Sequence, residues 1–188
     1  MFVEAADKEG FPSIGTAVML NAWIGQREGD LLELPANTYQ DGALQFTQSK
    51  TGAEVYLPID MVPALAQRLE EERQRQKAAN VTATTLLVCE LTWKAWNEHT
   101  FRQVFRRIRS RAAAKWPECR DVQFQRLRHT AVTQLGEAEV TAAGISSITG
   151  HSLQTVDQIL EHYLVRTKKM AKTAFTKRLK AEAEEFEV

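Results

Sequence analysis

The sequence predicts an α+β fold, mainly helical, with a small antiparallel β-sheet near the N-terminal half. Apolar residues recur at helical spacing over most of the chain, in segments punctuated by Gly and Pro. Between residues 42 and 59 the spacing switches to strict alternation on both sides of a polar turn, the mark of a hairpin. No run of 18 apolar residues occurs, so nothing reads as a transmembrane span.

The elements follow in order. Met1 to Gly10 is polar and is expected to fray. Pro12-Ser13 opens a helix to about Ile24, with Ser13 as N-cap and Ile14, Ala17, Val18 and Leu20 as its apolar stripe. Gly25 and Gly29 flank Arg27, and Asp30–Leu34 reads as a short helix stopped by Pro35. Gly42–Thr47 and Ala53–Ile59 form the hairpin, with Lys50 at or beside the tip of the turn Gln48–Gly52. Pro63 starts a helix to about Ala79, whose Glu70–Lys77 half reads as a solvated charged face. Thr84–Cys89 reads as a short buried strand. A helix from Asn97 to Lys115 turns Phe101, Val104, Phe105 and Ile108 inward and Arg102, Arg106, Arg109 and Arg111 outward. Helices are expected over Gln123–Glu137, Thr141–Ile148, Leu153–Tyr163 and, amphipathic through Met170, Ala174, Phe175 and Leu179, over Lys168–Glu185. No internal repeat appears, and Gln76–Ala83 is too short to separate independent domains.

Composition narrows the class. The 188 residues, 44% of them hydrophobic, suffice for one full core or two small ones. Cys89 and Cys119 lie far apart without metal-ligand spacing, which reads as free thiols in a reducing cytoplasm. The N-terminus lacks the basic-then-apolar pattern of a secretory signal. Net charge is zero, but residues 1–60 hold 3 Lys+Arg against 9 Asp+Glu while residues 101–150 hold 9 against 4. The basic stretch is compatible with a DNA-facing surface. Low overall charge predicts modest, salt-sensitive affinity.

Five residues carry chemistry. Arg27 sits in GQREGDLL, Lys50 in QSKTG, Arg128 in FQRLRHTA and His151 in ITGHS, and Tyr163 follows His151 by 12 positions. Two arginines, a lysine, a histidine and a tyrosine suit attack on a phosphodiester without a metal. Such a reaction needs positive charge on the non-bridging oxygens, a nucleophile, and an acid for the departing oxygen. Arginine suits the first task, since its planar fork donates two bonds to one phosphate and stays charged. Of the three tyrosines, Tyr39 and Tyr56 lie in the hairpin region, so Tyr163 is the candidate beyond the Gly-His turn.

In order and context these motifs resemble the catalytic domain of the tyrosine recombinases, the phage-integrase family, from about Ser13 to Thr167. The resemblance implies site-specific recombination by strand cleavage and rejoining through a 3′-phosphotyrosyl intermediate, on double-stranded DNA. Arg27 and Arg128 match the family's two phosphate-binding arginines. Lys50 resembles the hairpin lysine that protonates the leaving 5′ oxygen, His151 the histidine that donates to the phosphate, and Tyr163 the nucleophile. Asp30 looks like the acidic residue that orients the first arginine, although a plain acid in a helix's first turn would look the same. His162 reads as a neighbour rather than a participant.

Two departures stand out. Three residues before the second arginine the family usually has His or Lys. Here Gln125 can donate a hydrogen bond but cannot take a proton, which leaves the general-base role of that position open. His151 to Tyr163 is also a few residues longer than the commonest spacing. The resemblance further implies no cofactor and no metal, and no cluster of Asp, Glu, His or Cys has metal-ligand spacing. It implies a cytoplasmic, nucleoid-associated protein, bacterial or phage-encoded, that self-associates on DNA as a tetramer. The segment 168–185 resembles the one that packs on a neighbouring subunit, though packing on its own domain is the plainer reading. Nothing in residues 1–188 corresponds to the family's N-terminal DNA-gripping domain, so the chain reads as one catalytic domain. The competing readings are a cleavage-deficient DNA-binding or assembly protein of the same fold, and a helix-turn-helix regulator.

Overall fold

The computed structural model describes residues 1–48, 52, 54–163 and 168–186. Its hub is α2 (Pro12–Ile24), which buries Ile14, Ala17, Leu20 and Ile24 and is covered on several sides. Before it, α1 (Phe2–Lys8) is a formed helix rather than a frayed end. Phe2, Ala5 and Ala6 are buried, and the Phe2 ring lies 4.7 Å from that of Phe105, so burial of one aromatic anchors an otherwise polar segment. Phe11, not Ser13, stands at the N-cap of α2. Ser13 is inside the helix and fully buried, where its hydroxyl donates to Glu90 at 2.8 Å and accepts from the Trp96 indole at 2.9 Å.

A left-handed Gly25 ends α2, and α3 (Glu28–Leu32) begins two residues earlier than the sequence suggests. The sheet has three antiparallel strands in the order β1-β2-β3: Tyr39–Gln40, Ala43–Thr47 and Glu54–Pro58. Leu44 pairs with Leu57 and Phe46 with Val55, which puts the apolar alternates of both long strands on one face. Leu44, Val55 and Leu57 are buried there, while Tyr56 stands on the open face. The short β1 has no alternation to betray it and is an addition to the expected hairpin.

Helix α4 (Pro63–Ala78) corrects a second expectation, since Glu72 within its charged half is only 2% exposed. Glu72 pairs with Arg75 and accepts the Thr16 hydroxyl at 2.8 Å, so that half seals against α2 instead of being wholly solvated. Thr84–Cys89 is buried as expected from Leu86 to Cys89, yet it is not a strand. Among the described residues its β-pairing is limited to the isolated bridges Pro35↔Thr85 and Val88↔Ala95. Cys89 and Cys119 are free and buried.

Asn97 caps α5 (Glu98–Lys115) by accepting from the amides of His99 and Thr100. Phe101, Val104, Phe105 and Ile108 face the core, and Phe124 closes on Phe101 edge-on at 5.0 Å. Helix α6 starts at Arg126, three residues later than expected, and runs to Glu137. A second, smaller core joins α6 to α7 (Ala142–Thr149) and α8 (Leu153–Tyr163) through Val132, Ile145, Val156 and Ile159. Helix α9 (Lys168–Phe186) follows, with Phe175 70% and Leu179 64% exposed. Those two side chains do not pack on their own domain; α9 touches it through the pair Lys177–Glu139 at 2.5 Å. Among the described residues no helix is long and apolar enough to cross a membrane.

Candidate active site

The site forms where the C-terminal ends of α2 and α7 meet the first turn of α6. Both helices end on glycines in the left-handed region, Gly25 at φ 57° and Gly150 at φ 64°. At Gly25 a Cβ would come within 3.0 Å of Ala131 Cβ and 3.1 Å of Thr149 Cγ2, so the absent side chain lets the three elements close up.

Arg128, in the first turn of α6, is buried beneath this junction. Its Nη1 donates to Gly25 O and, at 2.8 Å, to Thr149 O. Two helix C-termini, each carrying partial negative charge, therefore hold one end of the guanidinium. Nη2 is buried with no hydrogen-bond partner among the described residues. A buried charged donor left unmade is costly, and an incoming anion would satisfy it. Burial, then the like charge of Arg27, pushes the Arg128 pKa down to about 10, against the pull of Asp30.

Arg27 occupies the N-cap position of α3 in extended backbone. It is about one-third exposed, and Nη1 meets Asp30 Oδ2 at 3.3 Å across one helical turn. Asp30 itself is almost buried, so it orients the arginine without neutralising its outer edge.

His151 follows Gly150, and its Nδ1 lies 2.8 Å from Thr149 Oγ1. Burial first, then Arg128, His129 and Arg27, drives its pKa down to about 4, so the ring is neutral at pH 7. The single Thr149 hydroxyl proton can serve either Ile145 O, also at 2.8 Å, or His151 Nδ1. When it serves Nδ1, the ring proton sits on Nε2, the donor a phosphate oxygen requires.

The remaining expected residues stand as follows. Lys50 lies outside the described residues, although both strands of its hairpin are described. Tyr163 closes α8, which Val156 and Ile159 fix against α6 and α7; its side chain lies outside the described atoms. Gln125 stands at the N-cap of α6, exposed and without a side-chain capping bond. It lines a cavity of about 330 Å³ with Glu28, Arg102, Arg106 and Arg109. Among the described residues no group of three or more His, Cys, Asp or Glu could hold a metal ion.

Two features escaped the sequence. Glu28, next to Arg27, is buried and takes the Arg102 Nε at 2.6 Å, and Glu98 takes Arg102 Nη2 at 2.6 Å. Desolvation raises the Glu28 pKa, opposed by Arg102. This ties the Arg27 turn to α5. The other is a pair of buried amides, Gln26 and Gln48, hydrogen-bonded to each other.

The phage integrase family model matches residues 11–176. The chain belongs to the phage integrase family. As a member of that family it also has solved structural neighbours. A XerA recombinase superposes with a TM-score of 0.70 at 18% identity, over 94% of this chain and 61% of that one. A lambda integrase dimer bound to a COC' core site gives 0.62 at 20% identity, over 84% and 44%. The lambda integrase catalytic core gives 0.59 at 22%, over 80% and 85%. The fold is thus that of a tyrosine-recombinase catalytic domain, and this chain spans 61% and 44% of the first two neighbours' lengths. A comparison with curated protein sequences finds no match.

Proposed function

We propose that this phage integrase family member is a DNA strand transferase, the catalytic domain of a site-specific recombinase. The observation that carries the reading is Arg128: a buried guanidinium held by two helix-end carbonyls, its Nη2 without a partner, beside Arg27 and His151. A phosphodiester oxygen would give the buried Nη2 an acceptor. Family membership and the DNA-bound states of structural neighbours support DNA as the ligand.

In the reaction, Tyr163 gives up its phenolic proton to solvent, its oxygen bonds to phosphorus, and the bond from phosphorus to the 5′ oxygen breaks. Arg27 and Arg128 hold the non-bridging oxygens as their charge grows, and His151 donates a further hydrogen bond. Lys50 gives its proton to the departing 5′ oxygen. The 3′-phosphotyrosyl bond keeps the energy of the linkage, and attack by a 5′ hydroxyl of another strand reverses the steps. Asp30 sets the direction of the Arg27 fork. On DNA the chain self-associates, with Phe175 and Leu179 of α9 as the apolar contact to a neighbouring subunit.

Gln125 favours a second reading, a cleavage-deficient assembly protein, because it cannot take the nucleophile's proton. A nicked suicide DNA substrate separates the two. Strand transfer leaves a covalent protein–DNA band that Tyr163→Phe removes, while the assembly protein shifts the DNA and leaves no covalent band.

A further inference from the structure

The root of the β2–β3 hairpin meets the cation cluster through two glutamines for which the strand-transfer reading has no use. Gln48, the residue after β2, and Gln26, the residue after Gly25, are each 1% exposed. The Gln48 amide nitrogen donates to Gln26 Oε1 and, at 3.0 Å, to Thr149 O. The Gln26 amide nitrogen donates to Ile24 O and to Ile148 O, both at 3.0 Å. One carbonyl, Thr149 O, therefore takes both the hairpin's Gln48 and the guanidinium of Arg128 on its two lone pairs. Gly150 leaves room for this: a Cβ there would collide with the Gln48 amide.

These bonds differ in kind from the rest of the hairpin's attachment. Leu44, Val55 and Leu57 bury apolar surface, which is non-directional and tolerates small shifts. A satisfied amide pair in a dry interior is directional and admits one arrangement. It joins three chain segments at once: the end of β2, the end of α2 just before Arg27, and the end of α7 just before His151.

We propose that Gln48 is a positioning residue: with Gln26 it locks the hairpin root to the carbonyl that also holds Arg128, so the hairpin and the cation cluster keep one register. The catalytic consequence rests on the strand-transfer reading, because Lys50 lies two positions beyond Gln48. The lock itself does not.

Gln48→Met keeps the bulk and removes the bonds. The first readout is amide hydrogen exchange at the hairpin root, including the Gly52 amide that donates to Gln48 O at 2.9 Å, and at Gly150 and His151. Both regions should exchange faster, by roughly tenfold, the scale of one or two lost hydrogen bonds. The second is cleavage on matched substrates with a 5′-bridging oxygen or sulfur, with Lys50→Ala and Arg128→Ala alongside. A sulfur leaving group needs no proton. Gln48→Met should lose up to about 10²-fold on the oxygen substrate, the scale for a misplaced group, and recover on sulfur as Lys50→Ala does; Arg128→Ala should not recover. Gln26→Met removes the Gln26–Gln48 bond and the bonds to Ile24 O and Ile148 O but leaves Gln48 on Thr149 O, so it should show the same pattern in weaker form, and it carries the test should Gln48→Met not fold. Unchanged exchange overturns the proposal. Faster exchange with equal defects on both substrates overturns the positioning role. A wild-type chain that forms no adduct defeats the strand-transfer reading instead, and the exchange rates then decide the lock alone.

Discussion

At Arg128, burial and charge work against each other. The guanidinium loses most of its water, keeps two carbonyls, and leaves Nη2 unsatisfied beside a second arginine. Such a site is poised for an anion and gains from one. Arg128→Ala is therefore expected to lower the cleavage rate by at least ~10²-fold, the scale for one donor to a developing anion. Arg27→Lys should rescue Arg27→Ala poorly, because an ammonium cannot reproduce the fork. Single-turnover cleavage rates check both, and full activity in Arg27→Lys would make that arginine a surface residue. His151 adds a pH dependence. Its folded pKa, about 4, lies below the ordinary 6.5, so between those values the unfolded chain binds more protons. Its contribution to stability is complete above pH 6.5 and is lost as pH falls towards 4. Denaturant titrations across that window should show a shallower pH slope in His151→Gln than in the wild type.

Elements show where the sequence was legible and where it was not. The hairpin could be read because alternation is periodic, and its register puts Leu44, Val55 and Leu57 on one buried face as that period demands. The first ten residues misled because a seven-residue helix carries too few apolar positions to show a period, and its anchor, Phe105, is a hundred residues away. Phe2→Ala should accordingly cost about 3 kcal/mol in denaturant unfolding, the low end for a buried aromatic; a cost near zero would mean α1 is not part of the cooperative unit. Glu72 misled for a related reason, since its partner Thr16 lies on another helix. Of the five candidate residues named from motif context, the structure brings Arg27, Arg128 and His151 together, while Lys50 and the Tyr163 side chain lie outside what it describes. The Gln26–Gln48 pair and the Glu28–Arg102 tie could not be named from the sequence, because a buried glutamine or glutamate has no local signature and acts only through tertiary neighbours. Helix α9 leaves Phe175 and Leu179 exposed. Phe175→Ser with Leu179→Ser should leave unfolding unchanged while weakening assembly on DNA, as native gel shifts with increasing protein would show.

For the whole molecule, two cores meet at one seam, and the candidate catalytic cations lie on it. The large core spans α1 to Phe124, the small one joins α6, α7 and α8, and Arg128 stands where α6 passes from one to the other. Helix α8, which carries Tyr163, belongs to the small core. The most direct measurement is incubation with a nicked suicide DNA substrate in the presence of a chelator, followed by denaturing electrophoresis and peptide mapping of any covalent adduct. The account predicts an adduct that survives chelation, maps to Tyr163 and is absent in Tyr163→Phe. An adduct that persists in Tyr163→Phe, or cleavage that appears only with added magnesium, would contradict it.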